Sequence, residues 1–168
     1  MREQFKDAAE GDGYMLQRWA DLVRPEDHIY HLGDLTLARG NHRDTDLVKI
    51  VRGLPGHKTL FLGNHDHKDA RKYFEYGFQK VRASNVADGL LLTHYPVHPG
   101  SLSLRVRFNA HGHTHGAPDI DHRYLNVCVE RTAYEPIPIE EAKRRLVVKQ
   151  LAVKPPEVDV SGNRIEGP

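Results

Sequence analysis

Cysteine is almost missing from this chain, which has one, Cys128, in 168 residues. A lone thiol excludes an internal disulfide framework and a thiolate-built metal cluster. Met1-Arg2-Glu3-Gln4 also lacks the apolar stretch of a signal peptide, so a reducing cytoplasm is the expected location. Long hydrophobic runs are missing too. The longest, 89–93 and 124–129, fall far short of the roughly 20 residues that cross a bilayer, so no membrane association is expected. Net charge is equally scarce: 24 basic and 23 acidic side chains leave +1, which supplies no field to draw the chain onto nucleic acid or an anionic surface. There is no Gly-x-Ser-x-Gly elbow, which sets aside a Ser-His-Asp hydrolase of the common α/β type. No internal repeat is present. The length suits one domain with its own core, expected over 1–153, followed by a disordered tail over 154–168 marked by Pro155-Pro156 and Val160-Ser161-Gly162-Asn163.

What the chain does have is histidine, 12 of them, and histidine is the commonest metal ligand. Apolar spacing predicts helices over 14–23, 44–54, 68–76 and 139–146, the last opening after Pro138. Strand-like runs fall at 28–32, 58–62, 78–83, 89–93, 105–110 and 124–129. The first half alternates helix and strand, and the second is mostly strand, which together indicate a layered α/β fold.

Four of these runs end in metal-capable side chains. They are Tyr30-His31-Leu32-Gly33-Asp34, Leu60-Phe61-Leu62-Gly63-Asn64-His65-Asp66, Leu90-Leu91-Leu92-Thr93-His94 and Phe108-Asn109-Ala110-His111-Gly112-His113-Thr114-His115. Strand ends are where α/β folds place their sites, and a glycine before the ligand lets the backbone turn close to an ion. Any one segment is explained by a turn, a cap or a packed histidine. Four arriving together point to a single site of Asp34, Asn64, His65, His94, His113 and His115. A carboxylate, an amide oxygen and several imidazoles suit manganese, iron or zinc better than calcium.

Gly33-Asp34, Gly63-Asn64-His65-Asp66, His94-Tyr95-Pro96 and Gly112-His113-Thr114-His115, in this order, resemble the calcineurin-like metallophosphoesterase family, in particular its small single-domain prokaryotic and phage members. The resemblance runs from about Gln17 to Glu141, and Asn126-Val127-Cys128-Val129-Glu130 looks like the family's closing strand. It implies a layered α/β/β/α sandwich and a divalent transition metal, manganese first, with iron, zinc or nickel as alternatives. In the implied two-ion site Asp34 bridges, Asn64, His94 and His113 complete one ion, and His115 binds the other. His65 would be the general acid while metal-bound hydroxide attacks phosphorus in line. The implied substrate is a phosphorylated small molecule or nucleotide, as a monoester or a diester. Asp66 is expected to support its loop.

One part of the pattern is absent. Members of this family normally open with a strand ending in Asp-x-His, and this chain contains no Asp-x-His. The fold is therefore expected to miss its first strand, and the second ion to keep only Asp34 and His115. An exposed sheet edge would follow, through which oligomers form. Three readings stand: an N-terminally truncated enzyme, a one-metal hydrolase, and a non-catalytic relative acting as a metal-binding or protein-interaction module. Outside the site, His31 and His111 are expected to be packed. Arg105 and Arg107 are expected on a solvated strand face, Cys128 as a buried small hydrophobe in a strand, and Arg39, Asn41 and His42 in a loop over the site.

Overall fold

The computed structural model describes residues 4–36 and 41–153, with the side chains of 41–45 excluded. The expected tail over 154–168, Arg39, and the side chains of Asn41 and His42 therefore lie outside the described residues. The elements run α1 (Ala8–Leu22), β1 (His28–His31), α2 (Asn41–Gly53), β2 (His57–Phe61), α3 (Lys72–Glu75), β3 (Lys80–Arg82), β4 (Ser84–Ala87), β5 (Leu90–Thr93), β6 (Phe108–His111), β7 (Tyr124–Asn126) and α4 (Ile139–Ala152). They form a mixed α/β fold with two sheets. One is parallel, in the order β1-β2-β3; the other runs β4-β5-β6-β7, parallel except for the β4–β5 hairpin.

β2 shows how the core is divided. Successive side chains of a strand face opposite ways. Leu60 therefore packs with Val51, Tyr73, Tyr76 and Phe78 against the helices, while Phe61 joins Leu90, Leu92, Ala110, Leu125, Ala142 and Leu146. Leu60, Phe61 and Leu146 are wholly enclosed.

Several boundaries depart from the sequence expectation. α1 begins six residues earlier than 14, at Ala8, because Asp7 caps it by accepting the Glu10 N–H at 2.9 Å and Gly11 lets the Phe5 ring lie against the helix. The helix expected over 68–76 is a single turn. Upstream, the His67 and Asp69 side chains accept the backbone N–H of Asp69 and Arg71, bonds that compete with helix formation. The run at 78–83 supplies β3, and the polar Ser84–Ala87 segment then crosses to the other sheet as β4, unforeseen, turning at Asp88-Gly89 with both φ positive. The expected strand over 105–110 starts only at Phe108, so Arg105 and Arg107 are exposed but lie ahead of the strand. The closing strand stops at Asn126, and Cys128 begins a 3-10 turn instead of lying within a strand.

β1 pairs only with β2 among the described strands, so its other edge is open. A groove of about 1250 Å³ runs along that edge, lined by apolar side chains including Ile29, Leu32, Leu90, Leu92 and Ile139, and it reaches Asp34, His94 and His113.

Candidate metal centre

Strand register brings the candidate ligands together. β1 and β2 run side by side, with His31 opposite Leu60, so Gly33-Asp34 and Gly63-Asn64 leave the sheet at neighbouring strand ends. In the other sheet Thr93 pairs with His111, so His94 and Gly112-His113 also emerge next to each other, joined by Gly112 N–H to the His94 carbonyl at 3.0 Å. His94 links the two sheets, because its Nδ1 lies 2.7 Å from the Leu32 carbonyl at the end of β1.

The two strand-end glycines of the first sheet are required by contact. A Cβ on Gly33, whose φ is +91°, would collide with His94 Nδ1, and one on Gly63 would collide with the Asp34 carboxylate. Three of the candidate residues are themselves held in the left-handed region: φ is 53° at Asp34, 67° at His113 and 49° at His115. Non-glycine residues adopt this conformation at a cost, and such residues cluster at functional sites.

Asp34, His94 and His113 can each offer a ligand atom within 4.8 Å of the others. His94 is 2% exposed, so its chemistry is set by its partners. The carbonyl of Leu32 can only accept, so Nδ1 carries a proton, and in the neutral ring Nε2 presents a lone pair. That lone pair faces Asn64 Oδ1 at 3.0 Å and Asp34 Oδ2 at 3.5 Å. With the His94 ring neutral, these three atoms form a donor set suited to a cation. The Nδ1–H to carbonyl bond is the outer contact that fixes a metal-ligating imidazole.

The rest of the expected site is arranged less tightly. Asn64, on an exposed turn, joins the three through its side-chain oxygen. His65 is exposed and meets the site through its backbone, donating N–H to Asp34 Oδ1 at 2.9 Å. The His113 ring packs edge-on against His94 and at a tilt against Tyr95. His115 lies outside the compact trio, with Nδ1 3.6 Å from Glu130.

Residues outside the expected ligand set hold the loops of the candidate site. Asp66 was expected to support its loop, and its carboxylate accepts the N–H of Asp34, Leu35 and Gly63 and the Tyr73 hydroxyl. Asn126 is 2% exposed and donates through Nδ2 to the carbonyls of His115 and Ala117, which pins the Gly-His-Thr-His loop. Asn109, fully buried, accepts the Val97 N–H and so anchors the chain that leaves His94. A buried asparagine inside a strand was the available signal for both. His31 and His111 are packed: each carries a buried ring nitrogen with no hydrogen-bond partner among the described residues, and burial pushes both imidazoles below the usual histidine range. Burial pushes the half-buried Cys128 thiol up, which keeps it in the unreactive neutral form.

No helix of the described residues is long and apolar enough to cross a membrane. No family model matches the chain. It is 30% identical over 132 residues to the Gene 66 protein of Mycobacterium phage D29, covering 62% of this chain and 65% of the phage protein, so the match spans a little under two thirds of that relative's length. An uncharacterized protein of Methanocaldococcus jannaschii is 27% identical over 151 residues, covering 81% of this chain and 75% of its own. Among solved structures, a protein of unknown function from Aquifex aeolicus superposes with a TM-score of 0.64 at 26% identity, covering 83% of this chain and 86% of that one.

Proposed function

We propose that this chain is a metal-dependent phosphoesterase of the calcineurin-like metallophosphoesterase kind, its two sheets and helices forming that family's α/β/β/α sandwich without the first strand. The observation that carries the reading is the convergence of His94 Nε2, Asn64 Oδ1 and Asp34 Oδ2, with His113 beside them, a donor set that fits manganese, iron, zinc or nickel. A divalent ion there would supply Lewis acidity toward the phosphate oxygens and a nucleophile at neutral pH. The chain's own contribution is positional. Asp66 and Gly63 hold the Asp34 and Asn64 loops at a fixed separation, and Leu32 fixes the His94 tautomer. His65, exposed beside Asp34, is free to meet the leaving oxygen of a phosphomonoester or phosphodiester and give it a proton. A phosphorylated small molecule or nucleotide is the substrate class.

A second reading, a non-catalytic metal-binding or interaction module, has one observation in its favour: the apolar groove along the open edge of β1 adjoins Asp34. Hydrolysis of bis-p-nitrophenyl phosphate by the purified chain with added manganese separates the two. The enzyme reading expects turnover that falls about 100-fold or more in His65→Ala, in line with loss of a general acid, and disappears in His113→Ala. Turnover unchanged in both variants would sink it, and manganese binding without turnover would favour the module.

A further inference from the structure

A second cavity, of about 370 Å³, lies on another face, between α4 and the segment that leads from the Gly-His-Thr-His loop into β7. Its walls bring together Arg131, Arg144, Arg145 and Lys149, with Asp119 the acidic group among them. Glu141 flanks them and bridges two of the cations: Arg144 donates from Nε at 2.7 Å and Nη2 at 2.9 Å, and Arg145 donates from Nε at 2.8 Å. These bonds, from Arg144 first and then Arg145, hold the Glu141 carboxyl down to about 2, so it remains ionised and keeps both guanidinium planes in place. Lys149 is paired with Asp119 and donates to the Tyr124 carbonyl at 2.9 Å. Arg131 makes no side-chain hydrogen bond or ion pair among the described residues.

Four cations thus face two carboxylates, an excess that a dianion would balance. Guanidinium groups already fixed at one edge present their remaining N–H donors without further ordering, which favours the bidentate capture of phosphate oxygens. The volume is at the small end of ligand pockets, roughly 300 to 1,000 Å³. We propose that this cavity is a binding site for a small phosphate-bearing anion, separate from the metal centre and built on Arg131, Arg144, Arg145 and Lys149.

The site would not be isolated from the metal centre. The Asp119 carboxylate that Lys149 holds also accepts the Asn126 N–H at 2.5 Å, and Asn126 donates to the His115 carbonyl at 2.6 Å. An anion that competes with Asp119 for Lys149 therefore acts on the loop that carries His113 and His115.

Inorganic pyrophosphate, titrated calorimetrically into the full chain freed of metal by a chelator that is then removed, tests the proposal. Binding is expected to weaken at least tenfold in Arg131→Ala and in Arg145→Glu, to weaken less in Arg131→Lys, and to change less than twofold in His113→Ala. Arg131 is exposed, so Arg131→Ala is expected to keep the wild-type melting temperature. The Asn126 side-chain amide resonance is expected to shift as pyrophosphate is added. No binding to the wild-type chain, or binding lost in His113→Ala and retained in the arginine variants, would overturn the proposal. So would a short single-stranded oligonucleotide that bound the same arginines far more tightly than pyrophosphate.

Discussion

Four donors converge on the Asp66 carboxylate, and three of them are backbone N–H groups at the turns that carry Asp34 and Asn64. Removing that carboxylate leaves the donors without a partner, and hydrogen bonds to a charged acceptor contribute about 1.5 to 3 kcal/mol each, without simple additivity. Asp66→Ala is therefore expected to lower unfolding free energy by about 3 kcal/mol or more and to release both turns, read by denaturant unfolding; a loss under about 1 kcal/mol would contradict this support role. His31 and His111 make stability depend on pH. Both are held neutral by burial, with folded values below the roughly 6.5 of an unfolded histidine, so the unfolded chain binds more protons just below that pH. Stability is then complete above about 6.5 and falls as pH drops toward the folded values. Urea midpoints at pH 7.5 and 5.5 should show the lower value at 5.5, and an unchanged midpoint would count against it. At this scale the sequence was informative where chemistry and backbone agree, as in Gly33-Asp34 and Gly63-Asn64. It assigned no role in the site to Glu130 or Asn126, because a side chain that reaches a loop from another element leaves no local pattern.

The strands are arranged so that parallel neighbours end together, which is why two pairs of adjacent strand ends deliver the converging side chains. Strand identity was most legible in β5, whose Leu90-Leu91-Leu92 run is nearly continuous and apolar, as suits a strand in the middle of a sheet; β2 opens on polar His57-Lys58-Thr59 and shows its apolar character only at Leu60-Phe61. β4 was not legible, since Ser84-Asn85-Val86-Ala87 has little apolar content and pairs only because the chain crosses between sheets. Helix α1 shows the opposite failure. Gly11 and Gly13 lower its intrinsic propensity, but the Asp7 cap and the Phe5 contact at Gly11 extend it to Ala8. Asp7→Ala is expected to cost about 1 kcal/mol by denaturant unfolding and to fray the first turn, and an unchanged stability would contradict a capping role for Asp7.

In the whole molecule β1 has an open edge among the described strands, with the apolar groove beside it. Leu22, Ile50 and Val86, on the groove wall, remain 44%, 43% and 50% exposed. Unpaired strand edges next to apolar surface promote association. The chain is expected to self-associate with rising concentration in light scattering, and a monodisperse monomer across the range would contradict this. The centre at the head of the groove is the decisive feature, because His94 Nε2 lies beside both Asn64 Oδ1 and Asp34 Oδ2, with His113 close by. Manganese titration followed by electron paramagnetic resonance, on the wild-type chain and on Asp34→Asn and His113→Ala variants of matched melting temperature, tests this most directly. A tight manganese ion is expected in the wild-type chain, with at least tenfold weaker binding in each variant. Equal binding in all three proteins, or none in the wild-type chain, would contradict that expectation.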